Sequence, residues 1–307
     1  MALHGLRSIT IGVPNVEDTA DYYAEFGLRP EAGGWLSTAD GGSQLRIVHA
    51  PTRRLTEVQV AAEDQDDLDR IALGLSRLGV PVSRTPDGLR TVEPVTGMVV
   101  GARITPRLRQ MPVPASTYNA PGRIERAGRR APAVLAESRV IPRRLGHAVI
   151  GSTDYESTTR LFTEGLGFKV SDVIKGAGSF LRCSTDHHNM LVMSAPVNFL
   201  HHTSWQVENV DEVGRGAFAM LEGRPERHVW GLGRHYAGSN FFWYLKDPAG
   251  NFSEYYSDMD CIVDDQLWTP EDLEGARGLF AWGPPPPPSF IHPDDLAAMM
   301  TGAHGVH

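Results

Sequence analysis

The stretch LGHAVIGSTDYESTTRLFTEGLGFKVSDVI, residues 145–174, decides the fold. A short strand-like run is followed by a polar residue, Asp154, and then by an amphipathic stretch that ends near Gly167. A side-chain oxygen at a helix N-terminus can cap free backbone N–H groups, and a glycine often ends a helix. The stretch therefore predicts a strand, a helix and a further strand.

The same pattern occurs four times, which makes it an internal repeat. The four copies begin at Ser8, Glu57, His147 and His202. The polar residue seven positions later is Asn15, Asp64, Asp154 and Asn209, respectively. Short alternating runs after each helical stretch predict three more strands. We therefore predict an α+β fold of four βαβββ modules, paired into two domains. Each domain is expected to be an incomplete mixed β-barrel with its helices outside.

The repeat also divides the chain. An N-terminal pair of modules is predicted for residues 1–105 and a C-terminal pair for residues 145–262. The Arg- and Pro-rich stretch 106–144 has weak periodicity, as expected for a linker. Residues 263–307 are predicted to be a tail, in which GPPPPPSF begins at Gly283. A stiff segment of this kind is expected to pack on its own protein or on a neighbouring subunit.

Composition excludes several classes of function. The chain has 307 residues, a formal net charge of -8 at pH 7 and two cysteines. A mildly acidic surface argues against nucleic acid or an anionic membrane as the main partner. Two cysteines do not resemble a secreted disulfide framework. No apolar run reaches transmembrane length, and the first residues lack a signal-peptide core. We expect a cytoplasmic protein with no nucleic-acid or membrane partner.

Three residues of the second half form a candidate metal-binding set. The repeat places His147 and His202 at equivalent strand positions. Strand alternation puts His202 on the polar face, which should line the concave side of the sheet, and its neighbour His201 on the other face. We therefore favour His202 as a ligand, and the adjacent pair keeps His201 as the alternative.

The third member of the set is Glu254. It follows the tight turn Asp247-Pro248-Ala249-Gly250 and lies in an otherwise aromatic strand. A carboxylate there costs free energy unless a group pairs with it, and a divalent metal would do so. Two imidazoles and one carboxylate can occupy one face of an Fe(II) ion and leave the other positions open.

At this point the chain resembles the type I extradiol ring-cleavage dioxygenases of the vicinal oxygen chelate superfamily. The resemblance is strongest to enzymes that act on 2,3-dihydroxybiphenyl and related catechols. The motifs that carry it are LGHAVIGSTD, GFKVSDVI, FLRCSTDHH, LHHTSWQV, GLGRHYAGSNFFWYLKDPAGN and SEYYSD. The resemblance covers residues 5–260 in architecture and is specific from His147 to Glu254.

The resemblance implies a set of functional residues and a reaction. His147, His202 and Glu254 would bind Fe(II), or Mn(II) as in some members, with O2 as co-substrate. His188 falls where the family places an acid/base histidine, and His187 is the competing candidate. His235 and Tyr244 fall where the family contacts the substrate hydroxyls. The reaction would be extradiol (meta) cleavage of a catechol in aromatic compound catabolism.

The first half of the chain departs from this pattern. Ser8 and Glu57 occupy the two histidine positions, and no carboxylate lies four residues after Gly97. We therefore interpret residues 1–105 as a degenerate duplicate that serves as scaffold. This spare domain and the tail favour a homo-oligomer.

Two further expectations concern the substrate and the competing functions. The pocket wall is expected to include Val149, Trp205 and Phe242, which suits an aryl or bicyclic catechol and equally a monocyclic one with alkyl or halogen groups. A glyoxalase-like isomerase or lyase of the same fold is the first alternative, although such enzymes usually carry a second carboxylate. A non-enzymatic ligand-binding protein is the second, although it would not need three metal ligands.

Overall fold

The computed structural model describes residues 3–301. Its strands are β1 (Leu3–Val13), β2 (Arg29–Pro30), β3 (Trp35–Thr38), β4 (Gly42–His49), β5 (Arg54–Ala62), β6 (Ser83–Thr85), β7 (Gly88–Val92), β8 (Val99–Ile104), β9 (Arg144–Ser152), β10 (Lys169–Ile174), β11 (Gly178–Arg182), β12 (Met190–Ser194), β13 (Phe199–Gln206), β14 (His228–Arg234), β15 (Phe241–Lys246), β16 (Phe252–Ser257) and β17 (Asp272–Leu273). Its α-helices are α1 (Val16–Glu25), α2 (Gln65–Arg77), α3 (Pro132–Leu135), α4 (Tyr155–Arg160), α5 (Val210–Leu221), α6 (Pro288–Ile291) and α7 (Leu296–Thr301). Helix α4 continues into a π-helical turn, Leu161–Gly165.

The strands form two mixed sheets. The first has eight strands in the order β2-β3-β4-β1-β5-β8-β7-β6. The second has nine strands in the order β14-β15-β16-β13-β9-β12-β11-β10-β17. Neither sheet closes on itself, so the predicted α+β fold with two incomplete barrels is confirmed. The domain limits remain a prediction, although residues 3–104 supply the first sheet and residues 144–273 the second.

Strand pairing shows that the two sheets repeat one another residue by residue. In the second sheet, His147 pairs with Ser204 across β9 and β13, and Ser204 pairs with Glu254 across β13 and β16. In the first sheet, Ser8 pairs with Gln59, and Gln59 pairs with Gly101. The first-sheet positions that correspond to His147 and Glu254 therefore hold Ser8 and Gly101.

Three of the four predicted helix caps are present. Asp64, Asp154 and Asn209 each accept a hydrogen bond from the backbone N–H three residues later. Asn15 does not cap α1: its Nδ2 donates to the carbonyl of Pro248 at 3.0 Å. The amide is thus used for a contact between the two halves of the chain.

Helix α1 of the first half packs on the second sheet. Tyr23 shares a hydrogen bond of 3.1 Å with Thr203, and Tyr22 shares one with Ser253. The ring of Phe26 stacks on that of Tyr255 with 3.8 Å between centroids. One hydrophobic core therefore continues from the first half into the second.

The C-terminal segment also belongs to the second half. Strand β17 extends the second sheet by pairing with β10. Further along, the Trp230 side chain donates to the carbonyl of Pro284 at 2.7 Å, and Phe290 is buried. The predicted tail thus packs on its own chain. Among residues 3–301, no helix combines the length and apolar character that a membrane crossing needs.

Candidate metal centre

Three neighbouring strands bring the predicted metal ligands together. His147 lies on β9, His202 on β13 and Glu254 on β16, and all three are buried. The Nε2 atom of His147 lies 3.1 Å from Oε2 of Glu254 and 3.3 Å from Nε2 of His202. Nε2 of His202 lies 3.8 Å from the same carboxylate oxygen. In the part of the chain that the structure describes, this is the one His/Cys/Asp/Glu group that could hold a metal ion.

The donor atoms fit a divalent metal. Metal bonds of about 2.1 Å at right angles separate adjacent ligand atoms by about 3 Å, close to the spacing found here. Glu254 Oε1 accepts a hydrogen bond from Asn240 at 3.2 Å, whereas Oε2 is buried without a hydrogen-bond partner among residues 3–301. An orphaned buried carboxylate oxygen is costly unless a cation satisfies it.

The neighbouring His201 orients His202. The pairing of β13 with β9 shifts between Leu200 and His202, so a bulge interrupts strand alternation there. His201 Nε2 lies 2.6 Å from the carbonyl oxygen of Phe290, which can only accept, so this nitrogen carries the proton. His201 Nδ1 then accepts from His202 Nδ1 at 2.7 Å. This leaves the Nε2 lone pair of His202 free for a metal.

His235 and Tyr244 form a pair beside Glu254. His235 Nδ1 donates to the carbonyl of Leu279, which leaves its Nε2 as an acceptor. The Tyr244 hydroxyl lies 2.8 Å from that Nε2 and donates to it. His235 Nε2 is also 3.7 Å from Glu254 Oε1. Burial raises the pKa of Tyr244 well above its usual value, and the Glu254 charge adds to the effect.

His188 borders the cluster on the side of His147. Their ring centroids are 4.2 Å apart, and both side chains face the same cavity. Burial lowers the pKa of His188 well below its usual value, and the nearby His147 lowers it further. His187 is also buried, but it lies behind His188 and does not line the cavity.

An apolar cavity of about 340 Å³ opens in front of these side chains. Its polar groups lie mainly at the metal-ligand end, where five histidines and Tyr244 face it. The wall consists mostly of apolar side chains, among them Val149, Ile174, Phe180, Leu191, Phe199, Leu279, Phe290, Ile291 and Leu296. The last four of these come from the C-terminal segment, so this segment helps to close the cavity.

The structure places one of the three predicted wall residues in the cavity and two outside it. Val149 lines the cavity. Trp205 is in the core, because alternation along β13 turns it to the face opposite His202, where it packs against Tyr23. Phe242 stacks on the outer side of the His235 ring with 4.0 Å between centroids, so it supports that ring from behind.

Several residues of the site are not among those predicted from the sequence. Asn240 holds Glu254, His201 orients His202, and Phe290 contributes both a ring and a carbonyl. The adjacent histidines were a visible signal for His201. Nothing in the local sequence around Phe290 indicates that it lies near residues 89 positions earlier.

The corresponding region of the first sheet has no comparable ligand set. Gly101 offers no ligand, and Glu57 is committed to Arg90 at 2.9 Å and to the amide of Gln59. This agrees with the interpretation of the first half as a degenerate duplicate.

Comparisons with known proteins find similar sequences. A sequence model of the Glyoxalase/Bleomycin resistance protein/Dioxygenase superfamily matches residues 144–255. Metapyrocatechase 2 of Cupriavidus necator is 29% identical over 305 residues, covering 94% of this chain and 92% of that protein. The manganese-dependent 2,3-dihydroxybiphenyl 1,2-dioxygenase of Geobacillus genomosp. 3 is 29% identical over 157 residues, covering 47% and 50%.

A solved structure has the same fold. The Mn(II)-bound glyoxalase from Novosphingobium aromaticivorans superposes with a TM-score of 0.74 at 24% identity, covering 95% of each chain. This solved structure thus shares the fold of paired βαβββ modules with the present chain. The chain is similar to the Glyoxalase/Bleomycin resistance protein/Dioxygenase superfamily over residues 144–255, and its resemblance to the type I extradiol dioxygenases is confirmed.

Proposed function

We propose that this protein cleaves the ring of a catechol-type aromatic diol by the extradiol route, with Fe(II) or Mn(II) and O2. The observation that carries the proposal is the convergence of a two-histidine, one-carboxylate triad with three further groups, His188, His235 and Tyr244, on one apolar cavity. The names of two relatives, a metapyrocatechase and a manganese-dependent extradiol enzyme, support the same reaction and metal.

His147, His202 and Glu254 would hold the metal. When bound, it supplies a Lewis-acid site at which a diol and dioxygen can be held side by side. The three ligands come from adjacent strands, so the triad is rigid. Holding two reactants in the correct orientation supplies much of the rate in such reactions.

The residues around the triad handle protons. His235 Nε2 is an acceptor, because its Nδ1 proton is donated to Leu279, and it can take a proton from a substrate hydroxyl once the Tyr244 hydroxyl turns from it to the substrate. The Tyr244 hydroxyl, 2.8 Å away, can then orient the same substrate oxygen. His188 lies next to a different ligand, His147, and can serve a second proton transfer there.

The cavity wall narrows the substrate class. No lysine or arginine lines the cavity in the part of the chain that the structure describes. Arg182 pairs with Asp265 and Arg234 pairs with Asp258, so neither faces it. A substrate carboxylate would therefore be buried without a cation, which is costly. Catechols with alkyl or aryl substituents suit this wall better than carboxylated ones.

Oxygen uptake tests the proposal. The protein is reconstituted anaerobically with Fe(II) or Mn(II) and given catechol, 3-methylcatechol, 2,3-dihydroxybiphenyl or 3,4-dihydroxybenzoate. We expect oxygen uptake with a yellow ring-fission product from the uncharged catechols, and little from the carboxylated one. The His202→Ala variant, treated in the same way, is the control. Bound metal without oxygen uptake on any diol would contradict the proposal and favour a glyoxalase-like or binding function.

A further inference from the structure

Two consecutive histidines, His187 and His188, lie in the segment that joins β11 to β12. Both are buried, and they make different contacts: His188 faces the cavity and His187 lies behind it. Their Nδ1 atoms are 3.0 Å apart. One of the two nitrogens must therefore donate to the other.

A carboxylate behind His187 decides the direction of that hydrogen bond. His187 Nε2 lies 2.9 Å from Oδ2 of Asp172 on β10. The other oxygen of Asp172 accepts a hydrogen bond of 2.8 Å from the backbone N–H of Glu271. Both oxygens of Asp172 thus act as acceptors. The ring of Trp268 packs against His187, with 5.2 Å between centroids, and helps to fix its plane.

The positions of the protons follow from the chemistry of these groups. An ionised carboxylate can only accept, so the proton of neutral His187 is on Nε2. Its Nδ1 then has a lone pair, and His188 must donate to it from Nδ1. The Nε2 atom of neutral His188 is consequently unprotonated and available to the cavity.

We infer that Asp172 and His187 are positioning residues that hold His188 in its Nδ1–H tautomer, so that its Nε2 can accept a proton in the cavity. The inference rests on the proposed function, because it assigns how the proton-transfer residue of that reaction is prepared. When His188 takes up a proton on Nε2, its Nδ1–H bond to His187 remains. The new positive charge then lies two hydrogen bonds from the Asp172 carboxylate, and no second proton has to move.

The same arrangement occurs independently at the metal ligand His202. There His201 donates from Nε2 to the Phe290 carbonyl and accepts at Nδ1 from His202. The Nε2 lone pair of His202 is therefore again free and faces the site. His235 reaches this state directly through Leu279. In His188, His202 and His235, which all face the site, the Nδ1 proton is thus donated to an acceptor within the protein. The Asp172 relay differs because its outer acceptor is a carboxylate, which also stabilises a positive charge.

Nitrogen-15 NMR of the full chain tests the tautomer without any turnover. Protein labelled with [15N]histidine is loaded with diamagnetic Zn(II), and the His188→Phe spectrum assigns the His188 signals. We expect a protonated Nδ1 and an unprotonated Nε2 at His188 in the wild type. In Asp172→Ala we expect a signal from the Nε2–H tautomer to appear. An Nε2–H form of His188 in the wild type would overturn the inference.

Two substitutions of His187 separate positioning from packing. Glutamine can still accept from His188 and donate to Asp172, whereas leucine can do neither. For the Fe(II)-loaded enzyme we expect kcat to fall at least about tenfold in His187→Leu, with metal content and KM near those of the wild type. His187→Gln should restore most of the loss. Equal impairment of the two folded variants would mean that His187 acts only through packing.

The NMR experiment and the oxygen-uptake measurement also separate this inference from the proposed function. If the wild type takes up no oxygen with any diol, the proposed function fails, while the NMR result still decides the tautomer. If oxygen uptake is normal but the tautomer is Nε2–H, the proposed function stands and the positioning role is rejected.

Discussion

Arg53 and Asp295 lie 242 residues apart in sequence and form a two-pronged ion pair, with Nε–Oδ2 at 2.6 Å and Nη2–Oδ1 at 2.8 Å. Arg53 belongs to the first half of the chain and is almost fully buried, and Asp295 lies in the C-terminal segment. The same guanidinium group donates to the carbonyl of Leu200 on β13, two residues before His202. This pair holds the segment that carries Phe290 against the site.

Removing the acid of this pair should destabilise the fold and loosen the C-terminal segment. Asp295→Ala leaves the buried Arg53 without its main counter-charge. Breaking a fully buried pair costs about 3–5 kcal/mol, and we expect about 2 kcal/mol here because Asp295 is partly exposed. Urea unfolding measures the loss, and limited proteolysis after residue 285 measures the loosening. Asp294→Ala is the matched control, since its partner Lys246 is 3.4 Å away at the surface. Equal effects of the two substitutions would contradict this role for the pair.

The metal ligands can be tested by substitution. His147→Ala, His202→Ala and Glu254→Ala should each lose Fe(II) or Mn(II) binding, because two donors do not hold the ion on this face. His201→Ala should still bind one metal ion per chain, with affinity lowered about 10–100-fold, because it orients a ligand without being one. Elemental analysis and metal titration by calorimetry give these values. A His201 variant without metal beside a His202 variant with metal would reverse the assignment.

His188 should be required for turnover and dispensable for the metal. His188→Phe keeps an aromatic ring in the buried position and removes both nitrogens. Loss of a positioned acid or base lowers rates about 10²–10⁴-fold, and we expect kcat to fall within that range. The exposed His49 supplies the control, His49→Phe. Steady-state oxygen uptake with measured iron content decides the point, and unchanged turnover would remove His188 from the mechanism.

Asp247 should make stability depend on pH between about 4 and 6. Burial is the main cause that raises its pKa from 3.8 to about 6, and the Asn251 hydrogen bonds and the Arg53 charge oppose the shift. The native state then binds more protons than the unfolded chain in this window, so this contribution is present at low pH and is lost as pH rises through 6.

The test of Asp247 compares the free energies of unfolding of the wild type and a variant at two pH values. Urea unfolding of the wild type and Asp247→Asn is compared at pH 4.5 and pH 7. Since the amide cannot ionise, the wild type should lose stability relative to the variant as pH rises, by at most about 1.4 kcal/mol per pH unit. A constant difference across this range would show that Asp247 does not titrate there.

The repeat in the sequence was enough to predict the fold. The seven-residue interval from His147 to Asp154 recurs because strand length and helix capping are local properties, and both are written in adjacent residues. The repeat also aligned Ser8 with His147, and the residue four positions after Gly97 with Glu254. The strand pairing shows both alignments.

The parts of the site that were not predicted depend on local irregularity or on distant contacts. Strand alternation alone does not predict the orientation of His201, because a bulge interrupts the strand there. It does not apply to His187 and His188, which lie between strands. Phe290 and Arg53 meet the site only through tertiary packing. Trp205 was assigned to the wall from its aromatic character, although its strand position already turned it away from His202.

The packing of helix α1 on the second sheet limits which parts of the first half can be removed or altered. Its tyrosines form hydrogen bonds with Thr203 and Ser253, the immediate neighbours of the proposed metal ligands His202 and Glu254, so the first half of the chain supports two strands of the candidate site. Excising that half would expose the reverse side of the reaction centre to water. The positions in the first half that correspond to the candidate ligands are therefore not needed as ligands, whereas the packing of helix α1 is needed by the second half. The half that carries the candidate site thus depends on contacts from the half that lacks it.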